Sequence, residues 1–177
     1  MSSNEARIDG YARGLFEVAR AEGTLDEVED ELFRFARSYE SNEQLRTALS
    51  DEQIPAAKRQ DIVQDLLGGK ATPTTVQLIS MVVGSGRTRD LPAIVDRLVQ
   101  RAAASKDEQV AEVRSAVDLT PDQLDRLRAA LANATGGSVR VKVIVDPNVL
   151  GGLVATVGDT VIDGTVRTRV EQLKSRL

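Results

Sequence analysis

The spacing of apolar residues changes part of the way along the chain, and this change constrains the fold more than any other feature. Up to about residue 105, apolar side chains recur every three or four residues, as they do on one face of a helix. Between residues 139 and 145, valines instead occupy every second position, the pattern of a strand with one buried face. We therefore predict an all-helical N-terminal domain, residues 1–105, followed by a small α+β domain, residues 106–177.

Six helices are predicted in the first domain, and glycine, proline or capping residues bound them. Thr24-Leu-Asp-Glu27 has the pattern of a capping box, and Thr72-Pro73 has that of a helix start with proline in the first turn. The fifth helix, around residues 76–83, is apolar on nearly all sides, which is typical of a helix that contacts several neighbours. Short loops between short helices favour a six-helix bundle.

The second domain is predicted to have the order β-α-β-β-β-α. Thr120-Pro-Asp-Gln123 is another helix start, Gly158-Asp159 between two β-rich runs predicts a hairpin, and Asp163-Gly-Thr165 is expected to begin the last helix. The second domain has too few residues and elements for a dinucleotide-binding fold, so it is predicted to be a small α+β module. The predicted strands cover residues 109–117, 139–145, 153–157 and 160–162.

Composition excludes several kinds of function. The chain has no histidine and no cysteine, so imidazole acid-base chemistry, thiolate nucleophiles, disulfides and the usual zinc ligands are absent. The net charge of −4, without a basic stripe, argues against nucleic-acid binding. No apolar run is long enough to span a membrane, and the first residues lack the features of a signal peptide. These features predict an intracellular protein that inserts in no membrane.

Two patterns that resemble catalytic or nucleotide-binding motifs are better explained by local structure. Gly68-Gly-Lys70 lacks both the earlier glycine of a phosphate loop and the hydroxyl directly after the lysine, so it indicates a helix end. Asp159 and Asp163 have the surroundings of a turn residue and a helix-start residue. We predict no catalytic, cofactor-binding or metal-binding residues.

The first helix carries both Tyr11 and Phe16 close to the small residues Ala12, Gly14 and Ala19. Large side chains beside small ones form a groove, and a groove next to the apolar fifth helix could accept an amphipathic helix from another protein. The alternative is that all these residues belong to the core of the bundle. Periodicity alone does not separate the two interpretations.

Two segments resemble a known family. Tyr11-Ala-Arg-Gly-Leu-Phe-Glu-Val-Ala19 resembles the opening helix of the delta subunit of F-type ATP synthases, called OSCP in mitochondria. The segment from Asp146 to Val170, with its paired glycines, hairpin and Asp-Gly-Thr helix start, is similar to the C-terminal signature of that family. Thr165 stands where serine is commoner, Val170 where leucine is, and Gly14 where alanine is frequent. The resemblance extends over essentially the whole chain.

The resemblance implies a non-catalytic stator subunit in the peripheral stalk of a large hetero-oligomer. In this family the helical domain binds the N-terminal helix of an alpha subunit between its first and fifth helices. The C-terminal domain binds the C-terminal helices of the b subunits, so the catalytic head cannot turn with the rotor and rotation drives ATP synthesis. The family binds no cofactor. A peripheral position on the cytoplasmic face of a bacterial plasma membrane is the expected location.

Carried onto this sequence, the resemblance implies two groups of binding residues. The groove for the alpha subunit is expected to have one wall on the first helix and one on the fifth. The stalk-binding region is expected near the paired glycines and the last helix. The groove residues are Tyr11, Ala12, Leu15, Phe16, Ala19, Leu78, Ile79, Val82 and Val83, and the stalk-binding residues are Gly151, Gly152, Arg167 and Arg169.

Two other interpretations remain open at this stage. One is a helical scaffold unrelated to ATP synthase, and the other is an enzyme whose site is assembled from carboxylates and arginines. Co-purification separates them, because a stator subunit is expected to isolate with alpha and b chains, whereas an enzyme would turn over its substrate alone.

Overall fold

A computed structural model of the chain describes residues 3–106, 108–149 and 151–164. The backbone divides into two compact units, Met1–Ala102 and Ala103–Leu177. Helices dominate the first part and a small sheet with one helix forms the second, as predicted. Asp163, predicted to begin the last helix, is the last residue of a strand, and the predicted helix itself, from residue 165 onwards, lies outside the described residues.

Six α-helices and a short 3₁₀ helix precede the first strand. They are α1 (Ser3–Ala21), α2 (Leu25–Ser41), α3 (Glu43–Ser50), α4 (Ala56–Leu67), α5 (Pro73–Gly84), the 3₁₀ helix (Thr88–Asp90) and α6 (Leu91–Ser105). Glycines with positive φ follow α1, α4 and α5, where the chain must turn away from the helix axis. The helix ends predicted from glycine are therefore confirmed.

The core of the first unit is built mainly from leucine, isoleucine and valine, together with several alanines and four aromatic residues. Residues with no measurable exposure include Leu15 on α1, Leu32 on α2, Ile79 on α5 and Leu98 on α6. Each buried aliphatic side chain of this size contributes about 1.5–3 kcal/mol relative to an exposed one. The apolar stripes seen in the sequence are therefore the main source of stability for this unit.

The start of α5 is capped both by its own residue and by a residue of α2. The hydroxyl of Thr72 accepts a hydrogen bond from the amide of Thr75 at 3.2 Å, as the sequence predicted. The amide and hydroxyl of Thr72 in turn donate to the carboxylate of Glu31, at 3.0 and 2.9 Å. Burial raises the pKa of Glu31, but hydrogen bonds from Thr75 and Thr72 outweigh it, so the pKa lies below its usual range.

We expect Glu31→Gln to lower the free energy of unfolding by about 1 kcal/mol at pH 7, since the bonds to a carboxylate become bonds to a neutral amide. Because the folded pKa is depressed, this stabilisation is complete above about pH 4.3, the usual pKa of glutamate, and is lost as pH falls through the folded pKa. Denaturant unfolding of the parent and of Glu31→Gln at pH 7 and pH 3 measures this difference in the free energy of unfolding. Asp61→Asn, at an exposed carboxylate on α4, is the control. An effect that is constant or larger in acid would contradict the assignment.

The capping box predicted at Thr24 is wrong. Thr24 does precede α2, but its φ and ψ of −112° and 18° are not those of an extended N-cap, and its side chain makes no capping hydrogen bond. Its amide instead donates to the carbonyl of Ala19, at the end of α1. The short connection between α1 and α2 thus determines the backbone conformation of Thr24. The capping box at Thr120 and Gln123 is confirmed, with both of its hydrogen bonds present.

Ion pairs join helices that are distant in sequence within the first unit. Arg101 on α6 donates to both carboxylate oxygens of Asp9 on α1, at 2.6 and 2.7 Å. This hydrogen bond, which outweighs a smaller effect of burial, holds the pKa of Asp9 below its usual range. Arg37 on α2 also forms an ion pair with α6, through one carboxylate oxygen of Asp96. These pairs fix which sides of α1 and α2 face α6.

The second unit contains a four-stranded sheet in the order β2-β1-β3-β4. Strands β1 and β2 are parallel and are connected by α7, whereas β3 pairs antiparallel with both β1 and β4. The predicted hairpin around Gly158-Asp159 is confirmed. The element bounds are β1 (Gln109–Ser115), α7 (Pro121–Thr135), β2 (Val139–Val145), β3 (Leu153–Val157) and β4 (Thr160–Asp163).

Helix α7 packs against one face of this sheet. Leu131 of α7, with Ala111, Val113, Val139, Ala155 and Val157 of the strands, forms the buried cluster of the unit. The valine alternation in β2 predicted one buried face, but Lys142 on the opposite face is only 4% exposed, while Val145 is 47% exposed. Lys142 lies in register with Glu112 of β1, so a carboxylate-bearing residue neighbours this buried cation.

Candidate partner-binding surfaces

The residues predicted to form the groove wall on α1 lie mostly in the core of the helical unit. Ala12, Leu15 and Ala19 have no measurable exposure, and Phe16 is buried. Tyr11 is half-buried, so it alone of this group reaches the surface to a substantial degree. The predicted wall of α5 is similar, because Leu78, Ile79, Val82 and Val83 are all buried. In the isolated chain these residues therefore contact other helices of the same unit.

A side-chain hydrogen bond joins the end of α1 to the start of α5. Thr74, in the first turn of α5, donates its hydroxyl to the carboxylate of Glu22, directly after α1. Tyr11 and Val18 precede Glu22 by eleven and four residues, spacings that place both on the side of α1 that continues toward Glu22. This side of α1 carries the half-buried Tyr11 and the exposed Val18.

Exposed apolar side chains occur on both of these helices. Val18 on α1 is 42% exposed and Met81 on α5 is 47% exposed, although both lie beside fully buried neighbours. Gly14 adds to the accessible space, because an added Cβ there would contact nothing within 4 Å. We refer to Tyr11, Gly14, Val18 and Met81 as the α1–α5 edge. Neither Val18 nor Met81 is among the groove residues that the sequence predicts.

A signal for these two residues was present in the sequence. Val18 lies three residues after the buried Leu15, at the margin of the apolar stripe of α1, and Met81 extends the apolar surface of α5 beyond the face a single neighbour could cover. Apolar residues at the margin of such a stripe are available for a second contact surface. The all-round apolar character of α5 predicts both internal packing and a groove beside α1, but the predicted groove residues of α5 do not include Met81.

A cleft of about 660 Å³ lies on the other side of α5, against α4. Gln60 of α4 crosses to α5 and donates to the carbonyl of Ser80 at 3.0 Å. This approach requires Gly84, since a Cβ at that position would collide with the Gln60 amide. Met81 also lines this cleft.

The paired glycines of the second unit occupy backbone conformations that other residues avoid. Gly151 and Gly152 have φ values of 62° and 89°, and they directly precede β3. The sequence predicts close packing of the backbone at these two glycines. Their positive φ values are a separate reason for glycine at both positions. Arg167 and Arg169, the other residues predicted to bind the stalk, lie outside the described residues.

Within residues 3–106, 108–149 and 151–164, no group of three or more carboxylates is placed to hold a metal ion. Across the same part of the chain, no helix is long and apolar enough to cross a membrane. The pair Asp159 and Asp163 lies at the turn and the end of the β3–β4 hairpin.

The fold and its exposed surfaces define a class of protein. It is a two-unit protein without a recognised catalytic site among the described residues, and its helical unit exposes the apolar side chains of Val18 and Met81. The particular family is shown by comparison with known proteins. The chain belongs to the ATP synthase delta (OSCP) subunit family, whose pattern it matches over residues 8–177.

Curated relatives support this assignment. The chain is 47% identical over 163 residues to the ATP synthase subunit delta of Nocardia farcinica, covering 92% of this chain and 60% of the relative. It is 45% identical over 160 residues to that of Streptomyces avermitilis, covering 90% and 59%. The chain thus spans about three fifths of the length of the curated relatives it matches.

A solved structure shares the fold. A chain in the cryo-EM structure of the Toxoplasma gondii mitochondrial ATP synthase hexamer superposes with a TM-score of 0.58, covering 96% of both chains at 22% sequence identity. At this identity the likeness concerns the fold alone.

Proposed function

We propose that this chain is a non-catalytic stator subunit of an F-type ATP synthase, which connects the catalytic head to the peripheral stalk. The match to the ATP synthase delta (OSCP) subunit family over residues 8–177 is the observation that carries the proposal. The relatives in Nocardia farcinica and Streptomyces avermitilis are named as subunits of this complex. The expected location is peripheral, on the cytoplasmic face of a bacterial plasma membrane.

In the proposed complex, residues 1–105 act as a six-helix bundle that binds the N-terminal helix of an alpha subunit along the α1–α5 edge. An amphipathic helix placed there would cover Val18 and Met81, whose exposed side chains need an apolar partner. The eight buried residues among the predicted groove residues then act as the floor and support of the site. They hold the edge in place, while the ninth, the half-buried Tyr11, contributes directly.

Residues 106–177 are proposed to bind the C-terminal helices of the b subunits through the region of Gly151, Gly152, Arg167 and Arg169. A stator must resist torque on the head during many catalytic cycles, so both attachments must dissociate slowly. Apolar anchors that exclude water provide slower dissociation than exposed ion pairs, which are worth at most about 1 kcal/mol. Attachment at two points raises the effective concentration of each contact and strengthens the joint further.

We expect Val18→Asp and Met81→Asp each to weaken binding of a synthetic alpha N-terminal helix about tenfold or more, because a charge would replace an anchor at the centre of the interface. Both residues are partly exposed, so the fold is expected to persist, as a thermal unfolding curve can show. Val117→Asp, at a 66% exposed valine of the second unit, is the matched control. Titration calorimetry measures the affinities, and unchanged binding in both edge variants would refute the assignment of the site.

A pull-down from native membranes tests the function as a whole. The tagged chain is expected to isolate with alpha and b subunits of the ATP synthase. Recovery of neither subunit, under conditions in which the complex remains active, would refute the proposed stator role.

A further inference from the structure

The helical unit contains a small polar cavity that the proposed function does not use. Its volume is about 210 Å³, and it lies where the start of α1, the end of α3, α4 and the 3₁₀ helix meet. The charged residues that line it are Arg59, Arg87, Arg89, Glu52 and Asp90. None of these residues belongs to the α1–α5 edge.

Arg59 of α4 is the unusual member of this group, because it is a buried cation that forms no ion pair with any of the described residues. It is only 7% exposed, and Nη1 donates a long hydrogen bond of 3.4 Å to the carbonyl of Leu49. Its Nε is buried and has no hydrogen-bond partner. Within the described part of the chain no carboxylate lies within 4 Å of this guanidinium. Buried charges are normally paired, since removing them from water is costly.

The carbonyl of Leu49 compensates for this charge only in part. It lies near the C-terminal end of α3, where the helix dipole is negative, but that end is equivalent to only about half an elementary charge. The same carbonyl also accepts a shorter hydrogen bond, of 3.0 Å, from the hydroxyl of Thr88. Arg59 therefore retains donors and positive charge that the described residues do not satisfy.

The other two arginines are also weakly compensated. Arg87 approaches Asp90 no closer than 3.9 Å, a distance too long for a good hydrogen bond. Arg89 is exposed and has no ion pair with any described residue. With three cations and two carboxylates, the lining has an excess of one positive charge.

We propose that this cavity binds a carboxylate, presented by an acidic side chain of a partner protein. The planar guanidinium of Arg59 suits a carboxylate, and Arg89 at the surface can attract and hold it. Glu52 and Asp90 would repel a dianion, so the lining favours a singly charged group over phosphate. The volume suffices for an acidic side chain and is too small for a nucleotide. The inference concerns the chain alone and does not depend on the stator role.

The probe for this site is the α-amide of acetyl-glutamic acid, whose only charge at pH 7 is the side-chain carboxylate. We expect it to shift the NMR amide signals of Gly86, Arg87 and Thr88 in a saturable manner in the full chain. The corresponding glutamine compound, which has the same shape without the charge, is expected to cause no saturable shift. Inorganic phosphate at the same ionic strength is expected to bind more weakly than the glutamic acid compound.

Two variants separate recognition from a purely structural role. Arg59→Met keeps the length of the stem and removes the charge, so we expect binding to fall at least about tenfold. The unfolding temperature is expected to stay the same or to rise, because an uncompensated buried charge is lost. Arg89→Gln, at the surface, is expected to weaken binding about threefold with the fold intact. If Arg59→Met does not fold, the effect of Arg89→Gln on binding tests whether the cavity recognises the carboxylate. Arg126→Gln, at an exposed arginine of α7, is the control.

Three results would overturn the proposal. They are the absence of saturable binding, equal binding of the glutamine compound, and undiminished binding in both arginine variants. Tighter binding of phosphate than of the glutamic acid compound would overturn the choice of a singly charged carboxylate. These outcomes do not bear on the stator role, which the alpha-helix titration and the membrane pull-down test separately.

Discussion

Leu15→Asp is expected to unfold the helical unit rather than to weaken a partner contact selectively. Leu15 has no measurable exposure, so the substitution places a carboxylate in the hydrophobic core and removes a packed leucine. The combined loss is about 4–5 kcal/mol, a large part of the roughly 5–15 kcal/mol that stabilises a domain. Val82→Asp should have a similar effect, since Val82 is equally buried. Circular dichroism during thermal unfolding measures the loss.

Val18→Asp is the matched comparison on the same helix. It introduces the same charge three residues further along α1, at a side chain that is 42% exposed, and should leave the unfolding temperature within a few degrees of the parent. Loss of partner binding in Leu15→Asp would thus follow from unfolding, whereas loss in Val18→Asp would report on the interface. If Leu15→Asp unfolded at the temperature of the parent, Leu15 would have to be accessible, contrary to its burial.

Gly152→Asp is expected to destabilise the second unit by about 1–3 kcal/mol, because the φ of 89° at this position is costly for any residue with a Cβ. The strain falls directly before β3, which pairs with both β1 and β4 and so determines the register of most of the sheet. In the proposed complex, this loss would loosen the attachment of the stalk. ATP-driven proton pumping in membranes should decrease while ATP hydrolysis continues.

Alanine variants separate conformational strain from the effect of charge. Gly152→Ala is expected to retain most of the destabilisation, since the Cβ is the source of the strain. Gly137→Ala is the matched control, because Gly137 has no positive φ and an added Cβ there would contact nothing within 4 Å. Unfolding in denaturant gives the free energies. Equal stability of Gly152→Ala and the parent would show that this φ is not needed for the fold.

Periodicity predicted the elements of this chain well, because burial of one face determines where apolar residues recur. The helices of the first part and the β3–β4 hairpin were confirmed in this way. The capping box at Thr24 failed for a different reason. A capping pattern describes one helix end in isolation, whereas Thr24 lies in a connection so short that its amide bonds back to α1.

The candidate site was predicted less well than the fold. Periodicity identifies the buried face of a helix but does not say which neighbours cover it or where they end. Leu15 and Val18 are both apolar residues of α1, yet one is fully buried and the other is 42% exposed, since the neighbouring helices cover only one of them. For the same reason nothing in the local pattern around Arg59 indicates that this arginine is buried. Such facts depend on packing between segments that are distant in sequence.

The central position of β1 has a consequence for how the chain folds during synthesis. β1 pairs with β2, in a register that joins Gln109 to Val139, and with β3, in a register that joins Ala111 to Val157. Neither partner exists when β1 leaves the ribosome, whereas the compact helical unit is complete by Ala102. We therefore expect the helices to fold first. β1 stays unpaired until about thirty to forty-five more residues, which include its partner strands, have been synthesised. A nascent chain that stops before β2 would carry a folded helical unit and an exposed, unpaired strand.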